Sequence, residues 1–405
     1  MKDPIVRRVE IRNYKSIARA CLDFSPITLL VGRNGAGKSN LLDALRFTSD
    51  ALAENLEFAI RHRGGIDEVR RKSLGSRPPN FHIQLLIQLP DDTDASYGFK
   101  VAPVAGGHFK VQDEVCLIGS AARPVAKFHV ASGVLKDWPS GIGPAPAITE
   151  DRLFLGMVSG APTFRPVWES LRRMVFHNLN PEEMKKPQRP ETGESLGGDG
   201  RNLASVVKNL ESRAPDVVRR VVSYLNAIDI PITEIRHQPI AGYDAIQFSQ
   251  RTKKADKSWQ FPASAMSDGT IRATGILLSL LSSTAGKGVG PTLVGVEEPE
   301  TALHPAATGA ILGAFLEAAG STQIVLTCHS PDMIEQQDID PSMIRVVITE
   351  DGETKVGPLS TQKTKLLSDH LASAGELLRL DQLTPDPREL EAQDAPRVTL
   401  WGTEE

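Results

Sequence analysis

Cysteine is scarce in this 405-residue chain: Cys21, Cys116 and Cys328 are the three thiols. They form no close pair and no metal-ligand spacing, and each lies in or beside an apolar run. They read as reduced, buried thiols, which excludes a disulfide framework and suits a cytoplasm. Long apolar runs are also missing. The longest stretch, around Ile276 to Leu281, falls far short of the roughly 20 residues that a membrane-spanning helix needs. The opening Met1-Lys2-Asp3-Pro4 lacks the apolar core of a signal peptide, so no membrane contact is expected. Nor is there an excess of charge. The net charge of −4 gives no global field toward nucleic acid or anionic lipid, and any such contact has to be local. Internal repeats and sustained heptads are absent too, which excludes repeat arrays and long coiled coils.

What remains is an ordinary globular composition, 40% apolar and 24% charged, with length for two or three domain-sized units. Its most specific feature is Gly32-Arg33-Asn34-Gly35-Ala36-Gly37-Lys38-Ser39, which follows the apolar run Ile27 to Val31 and leads into the helical pattern Asn40 to Leu45. Strand, glycine-rich loop and helix in that order make a cradle for nucleotide phosphates. The glycines let backbone N–H groups turn toward phosphate oxygens, and the helix N-terminus adds the positive end of its dipole. Lys38 reaches the β- and γ-phosphates and Ser39 holds Mg²⁺, so ATP and Mg²⁺ are the expected ligands of Gly32 to Asn40.

Patterning divides the chain into five sections. Residues 1–80 hold a half-exposed strand at Val6 to Ile11, the phosphate loop, and a helical spacing of leucines that runs to the Gly64-Gly65 break. Residues 81–150 read as an antiparallel β subdomain, with strands at Phe81 to Leu89, Tyr97 to Pro103, His108 to Ile118 and Ala126 to Ala131. Residues 151–255 read as a helical lobe, with helices at Val167 to Phe176, Leu203 to Leu210 and Val217 to Leu225, and Pro181 to Gly200 as a mobile loop. Residues 256–384 return to buried strands alternating with helices, at Thr292 to Val296, Pro305 to Ala319 and Gln323 to Thr327, and end in a hairpin at Asp351-Gly352. Such alternation predicts an α/β fold with a mostly parallel core sheet covered on both faces. Residues 385–405 are acidic and polar, a loosely held tail.

Hydrolysis of Mg-ATP needs a carboxylate to steady the metal and a group to orient the attacking water. Glu297-Glu298 end an apolar strand, and ligands in open α/β sheets sit at such strand ends. Glu297 is therefore assigned to the metal and Glu298 to the water. One strand later, His329 in Thr327-Cys328-His329-Ser330-Pro331 is a candidate donor to the γ-phosphate or the water. Ser267-Asp268-Gly269-Thr270 opens a further helix, and Ser267 and Gly269 form a second anion-binding nest there. An ordinary N-cap explains that spacing equally well. If the nest binds phosphate, the economical arrangement caps the γ-phosphate of a partner subunit, with two ATP molecules sandwiched in a two-fold dimer.

These residues together resemble an ABC-type ATPase head of the group containing RecF, the structural-maintenance-of-chromosomes (SMC) proteins and the overcoming-lysogenization-defect nucleases. Asn13 to Ile17 resembles the opening strand of that group, Gly32 to Ser39 its Walker A, Ser267-Asp268-Gly269 its shortened signature, Val294 to Glu298 its Walker B and His329 its switch histidine. A group of bacterial predicted ATPases is more similar still, through Arg63 to Asp67, Ser267 to Thr270, Glu297 to Leu303 with His304-Pro305, and Gly375-Glu376-Leu377-Leu378. The resemblance implies ATP-driven head-to-head dimerisation, Ser267 and Gly269 acting in trans, catalysis by Glu298, and a D-loop near Glu300 to Leu303. Glu297 stands where many such ATPases have Asp, so the metal would be reached through one more methylene or a water. Gln84 and Gln88, candidates for the metal-sensing glutamine, read as exposed strand residues.

Roughly 230 residues separate Lys38 from Ser267, and they show strands and short helices where a tethering protein carries heptads. About 76 residues follow His329, too few for the nuclease domain of the lysogenization-defect enzymes, and Asp338 and Asp340 read as solvated loop acids. The basic clusters Arg61, Arg63, Arg70, Arg71, Lys72 and Arg77, and Lys185, Lys186 and Arg189, are either solvated surface or phosphate contacts. The expectation is a cytoplasmic ATPase, dimeric on ATP, that drives or gates a DNA-linked process such as repair or phage defence. Its partners would be a second copy, DNA, and a separate nuclease or toxin effector. The alternatives are a nucleotide sensor without turnover, a transport ATPase and, third, a stand-alone nuclease.

Overall fold

The computed structural model describes residues 5–72, 78–120, 122–228, 230–251, 258–282, 290–301, 303, 307–336, 338–369, 371–394, 398–400 and 402–403. Arg77, His304 and Pro305, singled out above, lie outside the described residues. Two compact units emerge: one contains residues up to 174 with 340–373 and those from 380 on, the other 175–339 and 374–379.

In the first unit, alternation of apolar and polar residues builds a seven-stranded antiparallel sheet. Its order is Ile17–Asp23, Val6–Tyr14, Phe81–Gln88, Asp94–Val104, His108–Ser120, Arg123–Ala131, Val134–Asp137. Phe81, Ile83, Leu85 and Ile87 recur with period two and are fully buried. The helix Lys38–Ala53 sends Phe47 into that face, where Tyr14 and Phe81 meet its ring edge-on at 5.9 and 5.4 Å between centroids. Each such contact is worth about 1 kcal/mol beyond the area it buries. The strand before the helix, Ile27–Val31, is buried at every position and pairs in parallel with Ile344–Glu350, which turns at Asp351-Gly352 into the antiparallel Glu353–Pro358. The sheet takes strands from residues 6–23 as well as from 81–137, so the break expected at residue 80 does not divide it. Within the section expected to be a loose tail, Pro387–Asp394 forms a helix. Its Gln393 is buried, accepts from the Cys21 N–H at 3.1 Å and donates to the Val356 carbonyl at 2.9 Å. Gln88 is also buried rather than exposed.

In the second unit, Leu293–Glu297 lies between Gln323–Cys328 and Val175–His177, all parallel. Every residue from Thr270 to Leu281 of the helix Asp268–Ser282 is buried, and Pro215–Ala227 and Thr308–Ala318 pack on that helix. Two expectations fail here. The helix expected to reach Phe176 ends at Arg172, within the first unit, and Val175–His177 is a short strand of the second; periodicity cannot separate so short a buried strand from a helix end. The helical lobe also contains a three-stranded antiparallel sheet, Ile232–Ile240, Tyr243–Gln250 and Trp259–Pro262, whose first turn sets Ala241 and Gly242 at φ 47° and 86°. The supposedly mobile Pro181 to Gly200 is pinned: Gln188 exchanges backbone hydrogen bonds with Asp244 at 2.7 and 2.8 Å, and its side chain accepts from the Ala204 N–H at 2.7 Å. Polar composition there serves internal hydrogen bonds.

Glu114, fully enclosed in the antiparallel sheet, accepts from the Phe154 and Leu155 amides at 2.5 and 2.8 Å and from the Tyr97 hydroxyl at 3.0 Å. Burial outweighs these donors and pushes its carboxyl up from 4.5 to about 7. An acid whose folded pKa lies above the unfolded value binds more protons when folded, so this stabilisation is complete below pH 4.5 and is lost as pH rises through 7. Urea unfolding of wild type and Glu114→Gln should therefore show the wild type losing about 3 kcal/mol relative to the variant across that window. A difference that does not change with pH would refute the assignment.

Candidate functional site

The candidate residues fall into two sets, one in each unit. In the first, the buried strand ends at Val31 and Gly32 begins the loop; a Cβ on Gly32 would lie 2.0 Å from the Val347 carbonyl oxygen. Gly37 has φ 98°, and its Cβ would lie 1.9 Å from the Thr354 Oγ1. Only glycine fits either position. Arg33, Asn34 and Gly35 are exposed at the loop crest, Ser39 is exposed in the first helical turn, and Lys38 is buried. The Lys38 Nζ donates to the Gly32 and Arg33 carbonyls at 2.8 and 2.9 Å, which curls the loop around one ammonium. No side chain caps the helix and its first turn holds no acid, so its N-terminus suits an anion. The residues fit a magnesium nucleotide: a loop with no room for a Cβ at Gly32 or Gly37, a lysine at its centre and an exposed serine hydroxyl. Asn40 instead donates to the Ser16 Oγ at 2.6 Å, which in turn meets the Thr354 Oγ1 at 2.6 Å, so its side chain braces the loop from behind.

Below the loop lies a network that no local motif announces. Asp43 accepts from the Tyr14 hydroxyl at 2.7 Å and pairs with Lys15 at 2.6 Å and with the Arg63 Nη2 at 2.8 Å; that same Nη2 also reaches Asp50 at 3.0 Å. Burial works against the Asp43 carboxylate, yet Arg63 and Lys15 together hold it below its usual range; burial raises Asp50. The available signal was Asp43 and Asp50 flanking Phe47 on one helix face. Arg63 is thus an interior tie and not a surface cation. Its neighbours are also paired: Arg70 with Asp67, Arg71 with Glu353 and Lys72 with Glu68.

In the second unit the strand Leu293–Glu297 delivers Glu298 into a left-handed conformation, φ 44°. The Glu298 N–H donates to the Thr327 carbonyl and to its Oγ1, both at 3.1 Å. The Glu298 Oε1 stands 3.4 Å from the His329 Nδ1, and both side chains are about one third exposed. Glu300, read above only as part of a D-loop, is buried and accepts from the His329 and Ser330 amides at 2.9 and 3.2 Å. It fixes the backbone that carries the histidine. The Ser267 Oγ accepts from the Thr270 N–H at 3.2 Å, so the N-cap reading describes its present bond, while Ser267 and Asp268 remain exposed and Asp268 pairs with Lys185. Arg272, on the same helix, is buried; burial pulls its guanidinium down, against Glu298, Glu300 and Glu297.

Residues 186–335 match the family model described as "AAA domain, putative AbiEii toxin, Type IV TA system", and residues 5–76 match "AAA ATPase domain". The chain is 27% identical over 131 residues to structural maintenance of chromosomes protein 1 of Schizosaccharomyces pombe, covering 30% of this chain and 11% of that protein. It is 56% identical over 46 residues to the DNA replication and repair protein RecF of Porphyromonas gingivalis, covering 11% of this chain and 13% of RecF. In fold it is similar to an SMC head crystallised with the C-terminal winged-helix domain of ScpA, with a TM-score of 0.58 at 16% identity over 89% of this chain and 99% of that one. The chain has the fold of an SMC head and carries stretches similar to AAA-type ATPase domains and to the RecF and SMC group. This head combines mostly parallel core strands with an antiparallel β subdomain and a helical lobe. Its matched stretches span only about a tenth of the curated relatives' length. Among its described residues no helix is long and apolar enough to cross a membrane.

Substitution separates interior from surface cations in this head. Arg63→Met leaves Asp43 and Asp50 short of a partner and should cost about 3 kcal/mol in denaturant unfolding, whereas Lys72→Met, from an exposed pair, should stay within about 1 kcal/mol. Equal effects of the two would contradict the network.

Proposed function

We propose that this head binds Mg-ATP in the cytoplasm, closes head-to-head on it with a second copy, and hydrolyses it to drive or gate a DNA-linked process, repair or phage defence, through a separate effector. The observation that carries the reading is the Glu298 carboxylate, fixed on a doubly bonded backbone beside His329. Glu298 would take the proton of the attacking water, and His329 would donate to the γ-phosphate and steady it during attack. Lys38, freed from the loop carbonyls, would neutralise charge on the β- and γ-phosphates, with the amides of Gly32 to Asn40 around them. Magnesium, held through Ser39 and Glu297, would draw charge from the same oxygens. Ser267 and Gly269 would cap the γ-phosphate of the partner copy. The DNA link rests on the likeness to RecF, a DNA replication and repair protein, and the effector on the match to a toxin-antitoxin family model. Since Arg63, Arg70, Arg71 and Lys72 are all paired with acids, they are not assigned to DNA.

One observation favours a second reading, a sensor with negligible turnover: the Ser267 hydroxyl is engaged by its own helix, and Asp268 is tied to Lys185. Single-turnover hydrolysis separates the two.

Lys38→Ala should abolish ATP binding. Glu298→Gln should retain it, lose at least about 100-fold in turnover, and accumulate as a dimer with ATP in sedimentation. No ATP-dependent association of Glu298→Gln would sink the dimer. Mixing Ser267→Arg with Lys38→Ala should recover part of the turnover if sites are shared between copies, and a mixture as dead as its components would count against sharing.

A further inference from the structure

The peptide between Glu297 and Glu298 is held from both sides. Thr327 takes the Glu298 N–H, while the Arg272 Nη2 donates to the Glu297 carbonyl at 2.9 Å and to the Glu298 carbonyl at 3.1 Å. The Arg272 Nη1 donates to the Leu179 carbonyl at 2.9 Å, so one guanidinium bonds three backbone oxygens. This cation is buried, and its bonding partners are backbone carbonyls. A non-glycine residue at φ 44° persists only where its surroundings over-determine it, and the carbonyl side of that restraint comes from Arg272. Arg272 sits in the first turns of the helix that Ser267 caps, five residues further along the chain. A shift of that helix start carries the guanidinium with it, and the guanidinium carries the Glu298 backbone.

We infer that Arg272 is a positioning residue that couples the signature helix to the carboxylate of Glu298 within one subunit, so that phosphate engagement at Ser267 sets the orientation of the catalytic base. The inference rests on the role proposed for Glu298. Arginine is needed because its planar fork reaches two carbonyls on one side and a third on the other; a lysine ammonium keeps the charge without that span.

The test uses the 405-residue chain with Arg272→Lys and Arg272→Met, each measured for ATP affinity by equilibrium binding and for single-turnover hydrolysis, alone and combined with Glu298→Gln. The expected result is an ATP dissociation constant within about twofold of wild type and hydrolysis slowed about tenfold by Lys and about 100-fold by Met. Adding Arg272→Lys to Glu298→Gln should cause no further loss, because both act through one carboxylate. Wild-type turnover in Arg272→Lys and Arg272→Met, equal losses of affinity and rate, additive losses in the double variant, or failure of both variants to fold would each overturn the inference. A wild type indifferent to Glu298→Gln would instead overturn the reading of Glu298, and with it the premise.

Discussion

A loop that leaves a buried strand carries amides and carbonyls that no neighbouring strand can take, and water cannot reach them at depth. In this chain charged side chains take them. Lys38 bonds the carbonyls of Gly32 and Arg33, Arg272 those of Leu179, Glu297 and Glu298, and Glu300 the amides of His329 and Ser330. Each ion serves as a piece of secondary structure where the ladder has ended.

Energetics explains why charges are used and why they are few. A hydrogen bond to an ion contributes about 1.5–3 kcal/mol, roughly twice a neutral one, so two or three can fix a short loop that would otherwise fluctuate. The opposing cost is desolvation, visible as the upward push on Glu114 and the downward pull on Arg272. Loops held this way keep a fixed geometry, and the role proposed for Glu298 would draw on that, since a carboxylate set in place beforehand needs little reorganisation during reaction. Glu298 shows both sides: a conformation costing about 1–2 kcal/mol, retained because bonds on each side of its peptide outweigh the strain.

Legibility in the sequence follows the distance over which each restraint acts. The phosphate loop was readable because its glycines, lysine and serine are consecutive and their constraints are largely local. Glu297, Glu298 and His329 could be singled out as candidates because they stand at or just past the ends of two buried strands. Glu300, Arg272 and Glu114 were not, since their partners lie 29, 25 and 40 residues away and only folding brings them together. The same holds for Arg63, whose place in a basic cluster suggested surface while Asp43, 20 residues earlier, made it interior. At the level of elements, the strand Val175–His177 was too short to show a period, and the turn at Ala241-Gly242 marked a hairpin in a section dominated by helical patterns.

The element lengths bear on how a nucleotide signal would leave the head. The longest helix among the described residues, Lys38–Ala53, has 16 residues, about 24 Å at 1.5 Å per residue. An arm acting over long distances needs sustained heptads, and the stretch between Lys38 and Ser267 carries sheets and short helices instead. Work done on closure would have to pass through surfaces near the moving parts, over distances of a few side chains. Among the candidate transmitters, the helix Asp268–Ser282 begins at an exposed serine, is enclosed from Thr270 to Leu281, and grips the Glu298 backbone through Arg272. A partner that contacts the exposed start of that helix would act on the same helix that holds Glu298, and so could set hydrolysis without touching the nucleotide.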